Sequence, residues 1–125
     1  MTTPTGAIEF RASITSMTVS RNAAGMLTTA VNVEGEAGAY GPFAGTMVVA
    51  GANKGGAWHY DGFGMPADGS NLSGTWNGSY EFVGPGRWRT NGAGMFHTDA
   101  DIHSSCIQGE VNLEKREWRG QIEVR

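Results

Sequence analysis

Residues 7–19 read AIEFRASITSMTV, and the order of their side chains decides the fold. Ile8, Phe10, Ala12 and Ile14 alternate with Glu9, Arg11, Ser13 and Thr15. A period of two places apolar groups on one face and polar groups on the other, as a strand with one covered face requires. Helical spacing, with apolar residues at i, i+3, i+4 and i+7, is missing here and from every other window of a dozen residues.

The same reading extends in both directions. RNAAG makes a turn, and MLTTAVNVEGEAG sets Leu27, Thr29, Val31 and Val33 against Thr28, Ala30, Asn32, Glu34 and Glu36. After AYGP, the stretch FAGTMVVAG is apolar on both faces, which predicts a strand covered on two sides. AWHYDGFGM, LSGTWNGSYEF, RWRTNGAGMFH, HSSCIQGEVNLE and EWRGQIEV follow, separated by short turns rich in Gly, Pro, Asp and Asn. About eight strands in unbroken succession predict one all-β domain over residues 1–125, an antiparallel meander closed into a barrel without an exposed edge. A two-sheet β-sandwich uses the same signals and is the alternative.

Composition agrees. Gly accounts for 20 of 125 residues, scattered among strand formers, where tight barrels bend strands and bring backbones close. A net charge of -3 with 17% charged residues gives neither a basic footprint for nucleic acid nor a polybasic membrane anchor, so neither partner is expected. The opening MTTPTGAIEFRAS has no cationic start followed by an apolar run, and the one cysteine, Cys106, suits a reducing compartment; a cytoplasmic protein is expected. GxGxxG is absent and no cofactor is expected.

Several residues carry candidate chemistry. In AWHYDGFGM, Trp58 and Tyr60 share one face while His59 and Asp61 share the other. A His and an Asp two apart can act as an acid/base pair if they line a pocket. Glu34 and Glu36 would be general bases only if they faced inward. Arg87 and Arg89 share a face and would clamp a carboxylate from inside. Trp58, Trp76, Tyr80, Phe82 and Trp88 recur in phase with their strands and predict an aromatic interior, with the neighbouring Gly and Ala leaving room for a ligand.

MFHTDADIHSSC, residues 95–106, offers His97, Asp99, Asp101 and His103. On one straight strand these would span about 20 Å and could not meet on an ion, so the chain must reverse at TDAD. A reversal would let His97 and His103 face each other across a hairpin; an exposed polar turn is the expectation, and no metal. Cys106, with His97 or His103 as base, reads as a small packed side chain and not as a nucleophile.

Laid out in this way, GEAGAYGPFAGT and the closing GEVNLEKREWRGQI hairpin resemble small calycin-like and allene-oxide-cyclase-like barrels. The resemblance implies carriers of apolar ligands or cofactor-free cyclases and isomerases, and it transfers no catalytic residue. The expected function is therefore binding of an apolar or aromatic small molecule inside the barrel. The alternatives are an isomerase, cyclase or lyase in the same cavity, with His59, Asp61, Glu34 or Tyr60 moving a proton, and a homo-oligomeric assembly protein joined through FAGTMVVAG.

Overall fold

In a computed structural model, residues 6–125 are described; residues 1–5, part of the predicted domain, lie outside the described residues. The chain forms eight antiparallel strands: β1 (Gly6–Arg21), β2 (Leu27–Glu36), β3 (Pro42–Ala52), β4 (Gly55–Gly64), β5 (Leu72–Gly84), β6 (Arg87–Thr98), β7 (Ile102–Asn112) and β8 (Glu117–Val124). Each pairs with the next, and β8 pairs with β1 to close the barrel. The meander predicted from sequence is the observed fold, and the sandwich is not.

The interior is aromatic, and the glycines explain how it fits. Large inward side chains stand opposite inward glycines on the neighbouring strand: Trp58 opposite Gly78, Trp76 opposite Gly94, Phe96 opposite Gly74, Tyr80 opposite Gly56 and Phe10 opposite Gly120. A ring needs more area than its own position supplies and lies over the bare backbone beside it. A Cβ at Gly92 would fall 2.6 Å from the Trp58 ring, and one at Gly74 would enter the Trp76 ring. The glycines thus leave no void at the barrel centre, contrary to the sequence-based expectation, because the rings fill the space.

Trp118, 1% exposed, is the hub. Its ring meets Phe10 at 4.9 Å and 70°, Tyr60 at 5.5 Å and Trp58 at 5.9 Å. Edge-to-face pairs of this kind add stabilisation beyond the area they bury. Its indole N–H donates to Thr90 Oγ1 (3.1 Å) and that of Trp76 donates to Ser105 Oγ (2.9 Å), which accounts for the two buried hydroxyl residues of the core.

The two ends differ. At the lower end a single 3-10 turn, Gly38–Tyr40, swings Tyr40 inward, where its ring meets Phe96 at 4.7 Å and closes the barrel. A space of only about 40 Å3 remains there. At the upper end, β1 runs past β8. Its first half, Gly6 to Ser13, pairs with β8, while the remainder to Arg21 pairs only with β2. A register shift between Ile14 and Ser16 moves the inward phase from even to odd numbers, so Met17 continues the face begun by Ile8.

Candidate functional site

The open upper end contains an apolar cavity of about 200 Å3. Met17 and Leu27 reach it from the projecting β1–β2 hairpin, Val49 from β3, Trp58 from β4, and Val111 and Leu113 from the β7 side. Tyr80 and Trp88 form the wall beneath the β3–β4 turn. Tyr80 Oη donates to the carbonyl of Ala52 (2.9 Å), Trp88 Nε1 to that of Asn53 (2.7 Å), and the Phe82 N–H to that of Lys54 (2.9 Å). Three successive carbonyls are thereby tied to the β5–β6 rim, and the turn becomes a fixed lip.

Polar chemistry inside the mouth is largely consumed. Trp58 Nε1 donates to the carbonyl of Ser79 (3.0 Å), so each tryptophan of the chain has its N–H bonded to protein. What the rings present to the cavity is hydrocarbon and π-face. Thr90 already accepts from Trp118, while the hydroxyl of Thr29, at the cavity edge, makes no side-chain hydrogen bond among the described residues. No Asp, Glu, His, Lys, Arg or Cys lines the space. Burial raises the Tyr80 pKa above its ordinary value, which keeps the phenol a neutral donor.

No protein-family model, curated protein or solved structure matches the chain.

Of the predicted ligand-binding residues, Trp58, Tyr80 and Trp88 line the mouth. Trp76 lies deeper in the core, and Phe82 sits half exposed at the rim. Arg87 and Arg89 point outward, where Arg87 Nε bonds to Glu110 (2.6 Å) and Arg89 to Glu81 (2.8 Å); they clamp nothing from inside. Met17, Leu27, Thr29, Val49 and Leu113 were missed as ligand contacts. The signal was present in β1: Ile8, Phe10, Ala12 and Ile14 are even, Met17 and Val19 are odd, and such a switch marks a bulge that keeps one face apolar.

The candidate acid/base groups lie elsewhere. His59, Asp61 and Glu34 project from the outer surface, because Trp58 and Tyr60 occupy the inward phase of β4 and Val31 and Val33 that of β2. Glu36 is likewise exposed. Tyr60 faces inward but is packed against Trp76 and Trp118, and burial pushes its pKa far above the usual phenol range. None of the five lines the mouth.

On the outside, His59 and Asp61 do form a pair, with Nε2 2.5 Å from a carboxylate oxygen and Nδ1 2.7 Å from Asn77 Oδ1. The hydrogen bond to Asn77, then that to Asp61, raises the His59 pKa; His59, then Thr75, lowers that of Asp61. An imidazole flanked by two acceptors favours its cationic form, and the pair lies outside the cavity. The largest surface depression, about 1010 Å3, is an open saddle outside β6–β7–β8–β1. Its arginines have carboxylates close by, as in Arg11 to Glu117 (3.1 Å).

The TDAD segment is the turn that the sequence suggested, closed by Thr98 N–H donating to the carbonyl of Asp101 (2.9 Å). Its register pairs Phe96 with His103 and His97 with Ile102. Phe96 is buried inside, so His103 shares the inner face while His97 lies outside; the two histidines do not face each other. Asp99 is occupied by Asn71, accepting from its side chain (2.7 Å) and its N–H (3.1 Å). Among the described residues no group of three or more His, Cys, Asp or Glu could hold a metal ion. Cys106 lies on the outer face, between Ala93 and Glu123, on the opposite side of β7 from His103. No helix among the described residues is long and apolar enough to cross a membrane.

Proposed function

We propose that the barrel binds a small, mainly apolar molecule of one or two rings in its upper mouth. The observation that carries this reading is an open apolar cavity of about 200 Å3 whose tryptophan N–H groups are all bonded to protein. Cavities of about 150 Å3 lined by hydrocarbon accept benzene, so the size suits a ring with a short extension. Thr29 and Asn53 bring polar groups to the edge, which would favour a ligand that carries a hydroxyl or carbonyl. Binding is favoured over proton transfer because the lining carries no acid or base of ordinary pKa. The architectural resemblance to small calycin-like barrels points in the same direction.

The test is a methyl and indole NMR titration of the full chain with naphthalene and 2-naphthol. Saturable shifts are expected at Met17, Leu27, Val49 and the Trp58 and Trp88 indoles. Val49→Trp should fill the mouth and abolish them. Thr29→Val should weaken 2-naphthol by up to about tenfold, the worth of one neutral hydrogen bond, and leave naphthalene unchanged. Absence of saturable shifts for every ring compound tried, or equal binding by Val49→Trp, refutes the reading.

A further inference from the structure

At the upper end the barrel wall is left unpaired on one side of β1. Residues 16–21 pair with β2 alone, since β8 stops opposite Ser13. In a strand of L-residues, the side-chain direction and the side to which N–H and C=O point are locked together. Ile14 faces inward, and its N–H points toward the β8 side, where it donates to the carbonyl of Arg116 (2.8 Å). The inward residues Met17, Val19 and Arg21 therefore direct their N–H and C=O groups to the same side, past the end of β8. No described main-chain group meets them there.

This edge lacks the usual protections. Residues 15–20 contain no Pro, no Lys and no charge, and all are exposed, Val19 at 58%. Arg21, the first charge, is tied back to the carbonyl of Gly25 (3.0 Å) in its own hairpin. The strand itself names its partner, because Ser16-Met17-Thr18-Val19-Ser20 is a chemical palindrome. An antiparallel copy related by a twofold axis at Thr18 sets Ser against Ser on the outer face, Thr18 against Thr18, and Met17 against Val19 on the mouth side.

We infer that the chain forms a twofold dimer through antiparallel β1–β1 pairing centred on Thr18. Thr18 directs its own N–H and C=O toward β2, so the central pair is a close one without main-chain bonds. Met17 and Val19 on either side make the doubly bonded pairs. The dimer extends the sheet and gives the exposed Met17 and Val19 an apolar neighbour. It does not depend on ligand binding in the mouth, and it uses β1 in place of the outer face of β3, whose one large exposed apolar side chain is Val48.

Sedimentation velocity from low to high micromolar protein is expected to show a monomer–dimer equilibrium. Val19→Pro removes an N–H that points away from β2, so the barrel should fold while association weakens about tenfold or more. Val19→Lys should do the same without altering the backbone. In a Cys106→Ser background, oxidised Thr18→Cys should cross-link between two chains, because close antiparallel pairs bring Cβ atoms to about 5 Å. Ser16→Cys, which faces Ser20 of the other copy, should not. A wild type that stays monomeric throughout overturns the inference. So does a dimer that survives both Val19 variants, or one that cross-links equally through residue 16.

Discussion

The two ends of this barrel are built from the same alternation and finish differently. At the lower end the chain spends three residues, Gly38–Tyr40, on a turn that inserts a ring, and Tyr40, Phe96 and Leu72 pack until about 40 Å3 is left. At the upper end the β1–β2 hairpin outruns the sheet, no ring is inserted, and about 200 Å3 stays open between Met17, Val49 and Trp88. Closing a barrel settles its walls and leaves its ends to be settled by local insertions. The lower end is spent on stability, and the upper end is left for recognition.

The largest effect should come from crossing that divide with one residue type. Trp118→Ala removes the 1% exposed hub and its contacts with Phe10, Trp58 and Tyr60, and it leaves the Thr90 hydroxyl without its donor. A loss of about 3–5 kcal/mol in urea unfolding is expected. Trp88→Ala, at the mouth, forfeits part of a half-buried ring and one hydrogen bond to the lip, at about 1–2 kcal/mol. Equal losses would mean that the mouth is structural core, and the contrast drawn above would fail.

Much of this contrast could be read in the chain, and what could not has a physical cause. The strands were legible because alternation and turn residues are local signals: Glu117–Val124 follows directly from EWRGQIEV. Which face of each strand looks inward was harder. Trp58 and Tyr60 against His59 and Asp61 is a choice between two amphipathic readings, and ring burial against glycines on β5 decides it. The role of Gly was misjudged for the same reason: Gly92 and Gly74 are empty positions in sequence, and only the structure shows the Trp58 and Trp76 rings lying over them. His97 and His103 failed as a pair because the four-residue turn fixed an odd offset that no composition reveals. Tyr40 gave no signal, since a plug is defined by what lies across the barrel from it.

The lower end also carries a cost that can be measured. Tyr40 is 2% exposed, its hydroxyl has no hydrogen-bond partner, and burial raises its pKa. An unsatisfied buried hydroxyl costs about 1–3 kcal/mol, partly offset by the packing of its ring. Tyr40→Phe keeps the ring and removes the hydroxyl, so stability should stay level or rise by up to about 1 kcal/mol in the same urea assay. A loss of that size instead would show that the small space beside the ring holds a bonded water and that the seal is partly polar.

The smallest expected effect lies on the outer wall, which belongs to neither end. His59 is raised in pKa by Asn77 and Asp61, so its contribution to stability is present in full below the unfolded value of about 6.5 and fades as pH rises through the folded value. Asp61 is lowered in pKa by His59 and Thr75, so its contribution holds above about 3.9 and fades as pH falls through its folded value. The pair therefore supports the fold most between about pH 4 and pH 6.5. Both groups are well exposed, and screening should hold the gain below about 1 kcal/mol. An NMR titration should place the His59 midpoint above that of an unfolded-chain histidine, and Asn77→Ala should lower it, the amide oxygen being the largest cause. Ligand titrations at the mouth should be unaffected by either the pH or the variant, since His59 points outward from the strand whose Trp58 points in. A mouth affinity that followed the His59 titration would join the wall to the upper end and return proton chemistry to the site.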